Sequence, residues 1–152
     1  MRALVLVAAA AFVLAAPAAA DIGIVDVSPA AARPGAAIRV HVDGYLPLIH
    51  PVSMPVVIVP DRLMPRPYSC PKLGGTCSPI AWRGRIERPP YRILGFARRW
   101  TRDREQPDHA DAVLRARLPR LAPGRYRLAL CCGSCVRGPQ GSLIAGPVVT
   151  VR

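Results

Sequence analysis

Asparagine is absent from the 152-residue chain, and lysine occurs once, at Lys72. N-linked glycosylation is therefore excluded, because it needs an asparagine acceptor. Acidic residues are also few: nine Asp and Glu stand against 21 Lys and Arg, a formal net charge of +12. A GC-rich genome explains the choice of arginine over lysine. It does not explain the excess of arginine over acidic residues, and this excess favours contact with anionic polymers.

Aromatic residues are scarce as well, at 5% of the chain. An exported chain with so few of them offers little surface on which bases can stack, so nucleic acid is not an expected partner. The sequence has no glycine loop for phosphate and no nucleophile elbow, and we predict a non-enzymatic protein without a cofactor. Residues 108–111, which include His109, are expected to form a turn before a strand rather than part of a metal site or catalytic triad.

The one long apolar run lies at the start of the chain, at residues 3–16. It is shorter than the roughly 20 residues that a membrane span needs. Pro17 ends the run, and the alanines at 18–20 are the small residues that a signal peptidase requires. We therefore expect a cleavable signal peptide at residues 1–20. The mature domain, residues 21–152, is then secreted or held in the periplasm or cell envelope, with no membrane span.

The 18 prolines are spread evenly along the chain, which argues against long helices and fits short strands. Apolar and polar residues alternate in three segments, as they do in half-buried strands: residues 37–43, 112–118 and 125–132. The polar faces of the first two segments hold Arg39, His41, Asp43, Arg115 and Arg117. Further strands are expected at residues 22–27, 56–59, 91–97 and 143–151.

Two segments lack this alternation. Residues 61–90 are rich in proline and contain two cysteines, which predicts a long loop with one weak strand near residues 80–85. Residues 98–108 are charged and are expected to be exposed. The whole pattern predicts a single all-β domain of about seven strands over residues 21–152.

Two local patterns resemble a known family. Residues 121–126 form a turn that leads into a strand at Tyr126, which resembles the tyrosine corner of immunoglobulin and fibronectin type III-like domains. Residues 27–35, followed by an alternating strand that ends at Gly44, are similar to the opening of bacterial secreted immunoglobulin-like modules. The resemblance implies an immunoglobulin-like antiparallel β-sandwich, with the Tyr126 hydroxyl bonded to upstream backbone. Unlike antibody domains, the chain has no cysteine near Val40 for an inter-sheet bridge.

The cysteines lie in two groups: Cys70 and Cys77, then Cys131, Cys132 and Cys135. In an oxidising compartment we expect them to form disulfides. Cys131 and Cys132 are neighbours in a strand, so they point to opposite faces and only one can readily meet Cys135. Bridges within each group and bridges between the groups both remain open, and the odd number leaves one cysteine free in a monomer.

A metal is the alternative use of these sulfurs. Four thiolates suit zinc, and copper(I) prefers sulfur and imidazole ligands. The zinc candidates are Cys70, Cys77, Cys132 and Cys135, and the copper candidates add Met54, Met64, His50 and His109. The protein would then be an extracytoplasmic metal-handling protein. Thiol exchange through residues 132–135 is a further alternative, although no helix pattern follows that segment.

The segment from residue 83 to residue 104 contains eight arginines with aromatic residues between them. Because arginine and aromatic residues recur in binding hot spots, we predict a surface that contacts a protein or anionic polymer of the cell envelope. Its residues are Trp82, Arg83, Arg85, Arg88, Arg92, Arg98, Arg99, Trp100, Arg102 and Arg104. In the alternative the aromatic rings belong to the core, and Asp103 and Glu105 form exposed ion pairs with the arginines. The chain is thus expected to be a secreted, non-enzymatic binding or structural module of the bacterial cell envelope or extracellular space.

Overall fold

The computed structural model describes residues 22–45, 53–65, 79–82, 86–133 and 141–152. These ranges contain ten β-strands and a short 3-10 helix at Asp61–Leu63, and no α-helix. In chain order the strands are β1 (Ile22–Ser28), β2 (Ala31–Ala32), β3 (Ala37–Tyr45), β4 (Met54–Pro60), β5 (Pro79–Trp82), β6 (Arg92–Ala97), β7 (Thr101–Arg102), β8 (His109–Arg117), β9 (Gly124–Gly133) and β10 (Gly141–Val151). The prediction of an all-β chain is confirmed. The predicted signal peptide lies outside the described residues.

The strands form two sheets. The first sheet has the order β1–β3–β8–β7, and all of its neighbours are antiparallel. The second sheet has the order β2–β10–β9–β4–β6, with β5 also paired to β10. In the second sheet β2 runs parallel to β10, and the other pairs are antiparallel. Within the described ranges no helix is long and apolar enough to cross a membrane.

One apolar core lies between the two sheets. The first sheet contributes Val40 and Val42, and the second sheet contributes Leu128 and Leu130, all of them fully buried. These side chains are the apolar members of the alternating segments, so the period of two seen in the sequence is the period with which each strand enters the core. Met54 also belongs to this core.

A second apolar cluster covers the outer face of the second sheet. Its members are Val57, Val59, Met64, Ile86, Ala129, Cys131, Leu143 and Ala145. The face of β9 that was expected to be polar is therefore apolar at Ala129 and Cys131, because Met64 and Ile86 pack over it. Residues near both ends of the expected loop at 61–90, Met64 and Ile86, thus belong to this outer cluster.

The strand boundaries differ from the expectation in ways that matter for the surface. β3 continues through Gly44 to Tyr45, and β8 begins at His109 rather than at Ala112. The short strand β7 lies within residues 98–108, which were expected to be an exposed loop, and it pairs with β8. β2 was also not expected, whereas β5 overlaps the weak strand predicted near residues 80–85, and the described ranges hold more strands than the expected seven or so.

Candidate functional site

Tyr126 lies at the start of β9 and is only 9% exposed. Its hydroxyl donates a hydrogen bond to the carbonyl oxygen of Ala122 at 3.0 Å, which is the contact that the resemblance implies. A cleft of about 630 Å³ opens beside the ring, between residues 60–62 and residues 122–126. The acid of this cleft, Asp61, accepts a hydrogen bond of 2.6 Å from Nε of Arg127. That carboxylate is therefore paired with an arginine of β9.

The arginine surface predicted from the sequence lies along the edge where β6 leads to β7. The structure describes six of its arginines, and all six are exposed: Arg88, Arg92, Arg98, Arg99, Arg102 and Arg104. Arg83, Arg85 and the side chain of Trp82 lie outside the described part. Trp100 is partly buried against the core between the sheets, so its ring belongs at least partly to the interior. The arginines remain exposed around it.

Arg98 is the best-defined member of this surface. Its guanidinium lies 5.0 Å from the centre of the Phe96 ring, within the range of a cation–π contact. Its Nε also donates a hydrogen bond of 2.8 Å to Oγ of Ser53. The next residue, Arg99, has a φ of 59°, which turns the chain sharply between β6 and β7. These contacts leave part of the Arg98 charge available on the surface.

The acids near these arginines do not neutralise them. Oδ1 of Asp103 accepts hydrogen bonds from the backbone N–H groups of Glu105 and Gln106, at 2.7 and 3.3 Å. Asp103 thus stabilises its own turn. Among the residues that the structure describes, neither Asp103 nor Glu105 forms an ion pair, contrary to the alternative in which exposed ion pairs hold this loop. The six exposed arginines likewise have no acidic partner in those ranges.

A second ionisable group was missed from the sequence. On the outer face of the first sheet, Asp43 of β3 lies directly opposite Asp111 of β8. Nε2 of His41 is 2.7 Å from Oδ1 of Asp111, and Nδ1 of His109 is 3.2 Å from Oδ2 of Asp43. We call these four residues the His–Asp box. The turn expected at residues 108–111 is wrong from His109 onward, because these residues already pair with β3.

The His–Asp box has a clear signal in the sequence. Each strand carries the tripeptide His-x-Asp, at residues 41–43 and 109–111, and antiparallel pairing brings the two copies together. Each imidazole then bonds to the carboxylate of the other strand, which offsets the repulsion between the two facing acids. The arrangement cross-links β3 and β8, the two inner strands of the first sheet.

No metal centre emerges from the described ranges, in which no group of three or more His, Cys, Asp or Glu side chains could hold an ion. The copper candidates are not brought together either. Met54 lies in the core between the sheets, Met64 lies in the outer cluster, and His109 contacts Asp43. His50 lies outside the described residues.

The cysteine prediction can be followed at one position. Cys131 is 1% exposed and lies in the outer cluster. No disulfide is seen among the residues that the structure describes. Cys70, Cys77 and Cys135 lie outside those residues, as does the side chain of Cys132.

The described part of the chain therefore has two charged surface regions. One consists of the exposed arginines where β6 leads to β7, which we call the arginine edge: Arg88, Arg92, Arg98, Arg99, Arg102 and Arg104. The other is the outer face of the first sheet. Comparison with protein-family models, with curated proteins and with solved structures finds no match for this chain.

Proposed function

We propose that the chain is an exported, non-enzymatic binding module with an immunoglobulin-like fold, which contacts anionic polymers of the cell envelope or extracellular space through its arginine edge. The strand order supports the fold. In immunoglobulin domains one sheet has the order A-B-E-D and the other contains G-F-C. Here β1–β3–β8–β7 and β10–β9–β4 have the same chain order and the same pairing. In this comparison β8 corresponds to strand E and β9 to strand F, and the hydrogen bond of Tyr126 to Ala122 corresponds to the tyrosine corner between them.

The single observation that carries the binding function is the set of exposed arginines without acidic partners at residues 88–104. Exposed ion pairs contribute little to stability, and these arginines have no acidic partner in the described ranges. Unpaired cations on one edge attract anionic polymers. Binding releases the counterions of the polymer, so it weakens as salt is added. Arg98, which is held by Phe96 and Ser53, gives this edge a fixed point of contact.

The test is retention of the mature chain on heparin and on vesicles that contain anionic lipid, measured over a gradient of NaCl. We expect retention that weakens steeply with salt. A variant with serine at four positions of the edge should elute much earlier: Arg98, Arg99, Arg102 and Arg104. The matched control removes the same charge from four exposed arginines elsewhere: Arg33, Arg62, Arg120 and Arg152.

The two variants separate a local surface from a general effect of net charge. If the edge variant loses clearly more retention than the control variant, the arginine edge is the contact surface. Equal losses would assign the binding to the overall positive charge and would contradict the proposed surface. Retention that does not depend on salt would contradict polyanion binding altogether.

A further inference from the structure

The outer face of the first sheet has a second concentration of arginine, away from the edge at residues 88–104. Arg39 of β3 lies directly opposite Arg115 of β8, and Arg117 follows on the same face of β8 two residues later. All three side chains are exposed. Arg117 donates a hydrogen bond of 3.2 Å to the carbonyl oxygen of Gly35, which places its guanidinium at the end of this face. We call these three residues the arginine face.

The stability of the sheet does not explain the facing pair. Like charges directly opposite each other on neighbouring strands are destabilising. Within the described part of the chain, neither Arg39 nor Arg115 has an ion-pair partner. A bound anion would remove the repulsion between Arg39 and Arg115.

Two of the acids on the same face are bonded to histidines. Asp111 is bonded to His41, and Asp43 is bonded to His109. Asp26 of β1 is exposed opposite His41, and it forms no ion pair with the residues that the structure describes. Charge is thus sorted along the strands, with the His–Asp box at one end and the arginine face at the other.

We propose that the arginine face is a second anion site, and that its ligand is a monoester or terminal phosphate group of an anionic polymer. This inference rests on the proposed function, because it names the chemistry of the polymer. A monoester or terminal phosphate has three strong acceptor oxygens and can carry more than one negative charge, whereas a carboxylate has two acceptor oxygens and one charge. Two facing guanidinium groups with a third beside them match the phosphate better. Ser28, which is exposed opposite Arg39, adds a hydroxyl donor to the same row.

The probe is sodium tripolyphosphate, and the readout is the Tm of the mature chain together with Kd from calorimetry, against NaCl of the same ionic strength. Wild type should gain Tm with tripolyphosphate and gain much less with NaCl. The double variant Arg39→Ser with Arg115→Ser should bind roughly a hundredfold more weakly, about tenfold for each charged hydrogen-bonding partner removed. The control is Arg62→Ser with Arg120→Ser, two exposed arginines that are not on this face.

A result without ligand adds an independent check that the facing pair is repulsive. At low salt, Arg115→Ser should leave Tm unchanged or raise it, because the repulsion by Arg39 is removed. A clear fall in Tm would show that Arg115 stabilises the sheet and would overturn the argument. Equal binding of tripolyphosphate by wild type and the Arg39/Arg115 variant would overturn the site, as would equal loss in the control.

The ligand class and the proposed function fail in different ways. Polyglutamate at equal charge concentration tests carboxylate against phosphate, and tighter binding of polyglutamate would overturn the choice of phosphate. The variant with four serines at the arginine edge should keep the Tm gain with tripolyphosphate while it loses heparin retention. If that variant keeps heparin retention but the arginine face still binds tripolyphosphate, the edge is wrong and the face is right.

Discussion

His41 and Asp111 lie on neighbouring strands, 70 residues apart in sequence, with Nε2 of the imidazole 2.7 Å from Oδ1 of the carboxylate. The equivalent pair, His109 and Asp43, lies beside the first one, with Nδ1 of His109 3.2 Å from Oδ2 of Asp43. Each histidine reaches diagonally across to the other strand, so neither aspartate faces its neighbour uncompensated. This arrangement cross-links β3 and β8, the two inner strands of the first sheet.

The His–Asp box makes a prediction about stability. His109 is less exposed than His41, at 16% against 35% of its side chain, so its pair with Asp43 is screened less by solvent. We expect double-mutant cycles to give a coupling of about 0.5–1 kcal/mol for His109 with Asp43, and less for His41 with Asp111. The measurement is urea unfolding at pH 7 of the alanine and asparagine variants. A larger coupling for the more exposed pair would contradict this order.

Tyr126 makes a second prediction, on the corner between β8 and β9. Tyr126→Phe removes the hydrogen bond to Ala122 and leaves the ring in place. Because this bond is partly buried and Ala122 itself is exposed, we expect a loss of about 0.5–1.5 kcal/mol in the free energy of unfolding. Urea unfolding measures the loss, and circular dichroism should show an unchanged native fold. A variant as stable as wild type would remove the corner from the list of stabilising contacts.

The local alternation of apolar and polar residues was enough to predict the strands and the side chains that point into the core. The alternation at residues 37–43 identifies Val40 and Val42 as core residues because a strand has the same period of two in every fold. The boundaries were less well predicted. His109 reads as part of a turn in its own sequence, and only pairing with Tyr45 of β3 makes it a strand residue.

Relationships between strands lay beyond local pattern. Arg39 and Arg115 face each other because of the register between β3 and β8, which depends on the fold of the whole domain. Cys131 lies on the same face of β9 as Arg125 and Arg127, so the sequence of this strand alone predicts a polar face there. Cys131 is buried because Met64 and Ile86, distant in sequence, pack over it. The sequence therefore predicted the composition of the charged surfaces and not their arrangement.

Two glycines make a third prediction, through the space that a side chain would need. A Cβ at Gly95 would lie 2.8 Å from Cδ1 of Leu114, and a Cβ at Gly146 would lie 2.9 Å from Cβ of Ile24 and 3.3 Å from the carbonyl oxygen of Leu128. The end of a leucine side chain can move aside, whereas Cβ and backbone atoms cannot. We expect Gly146→Ala to cost about 2–3 kcal/mol and Gly95→Ala to cost about 1 kcal/mol.

Thermal and urea unfolding of the two alanine variants measure these costs side by side. The substitution is the same at both positions, so the change in chain entropy is similar and the difference reports the contacts. A Gly95→Ala variant that is less stable than Gly146→Ala would contradict the packing of β6 on β8 and of β1 on β10.

Cys131 makes the last prediction, and it separates the binding module from the metal-handling alternative. The burial of Cys131 favours a cross-linking role, and with two disulfides among the five cysteines the purified, non-reduced chain should have one free thiol and no stoichiometric zinc or copper. Reduction should lower the free energy of unfolding by about 2–4 kcal/mol. Thiol titration, elemental analysis and mass spectrometry of non-reduced peptides provide the measurements. Four or five free thiols with bound metal would contradict the disulfide and favour metal handling. A peptide that joins Cys131 to Cys70 or Cys77 would show a bridge between the two cysteine groups, whereas a Cys131–Cys135 peptide would place the bridge within one group.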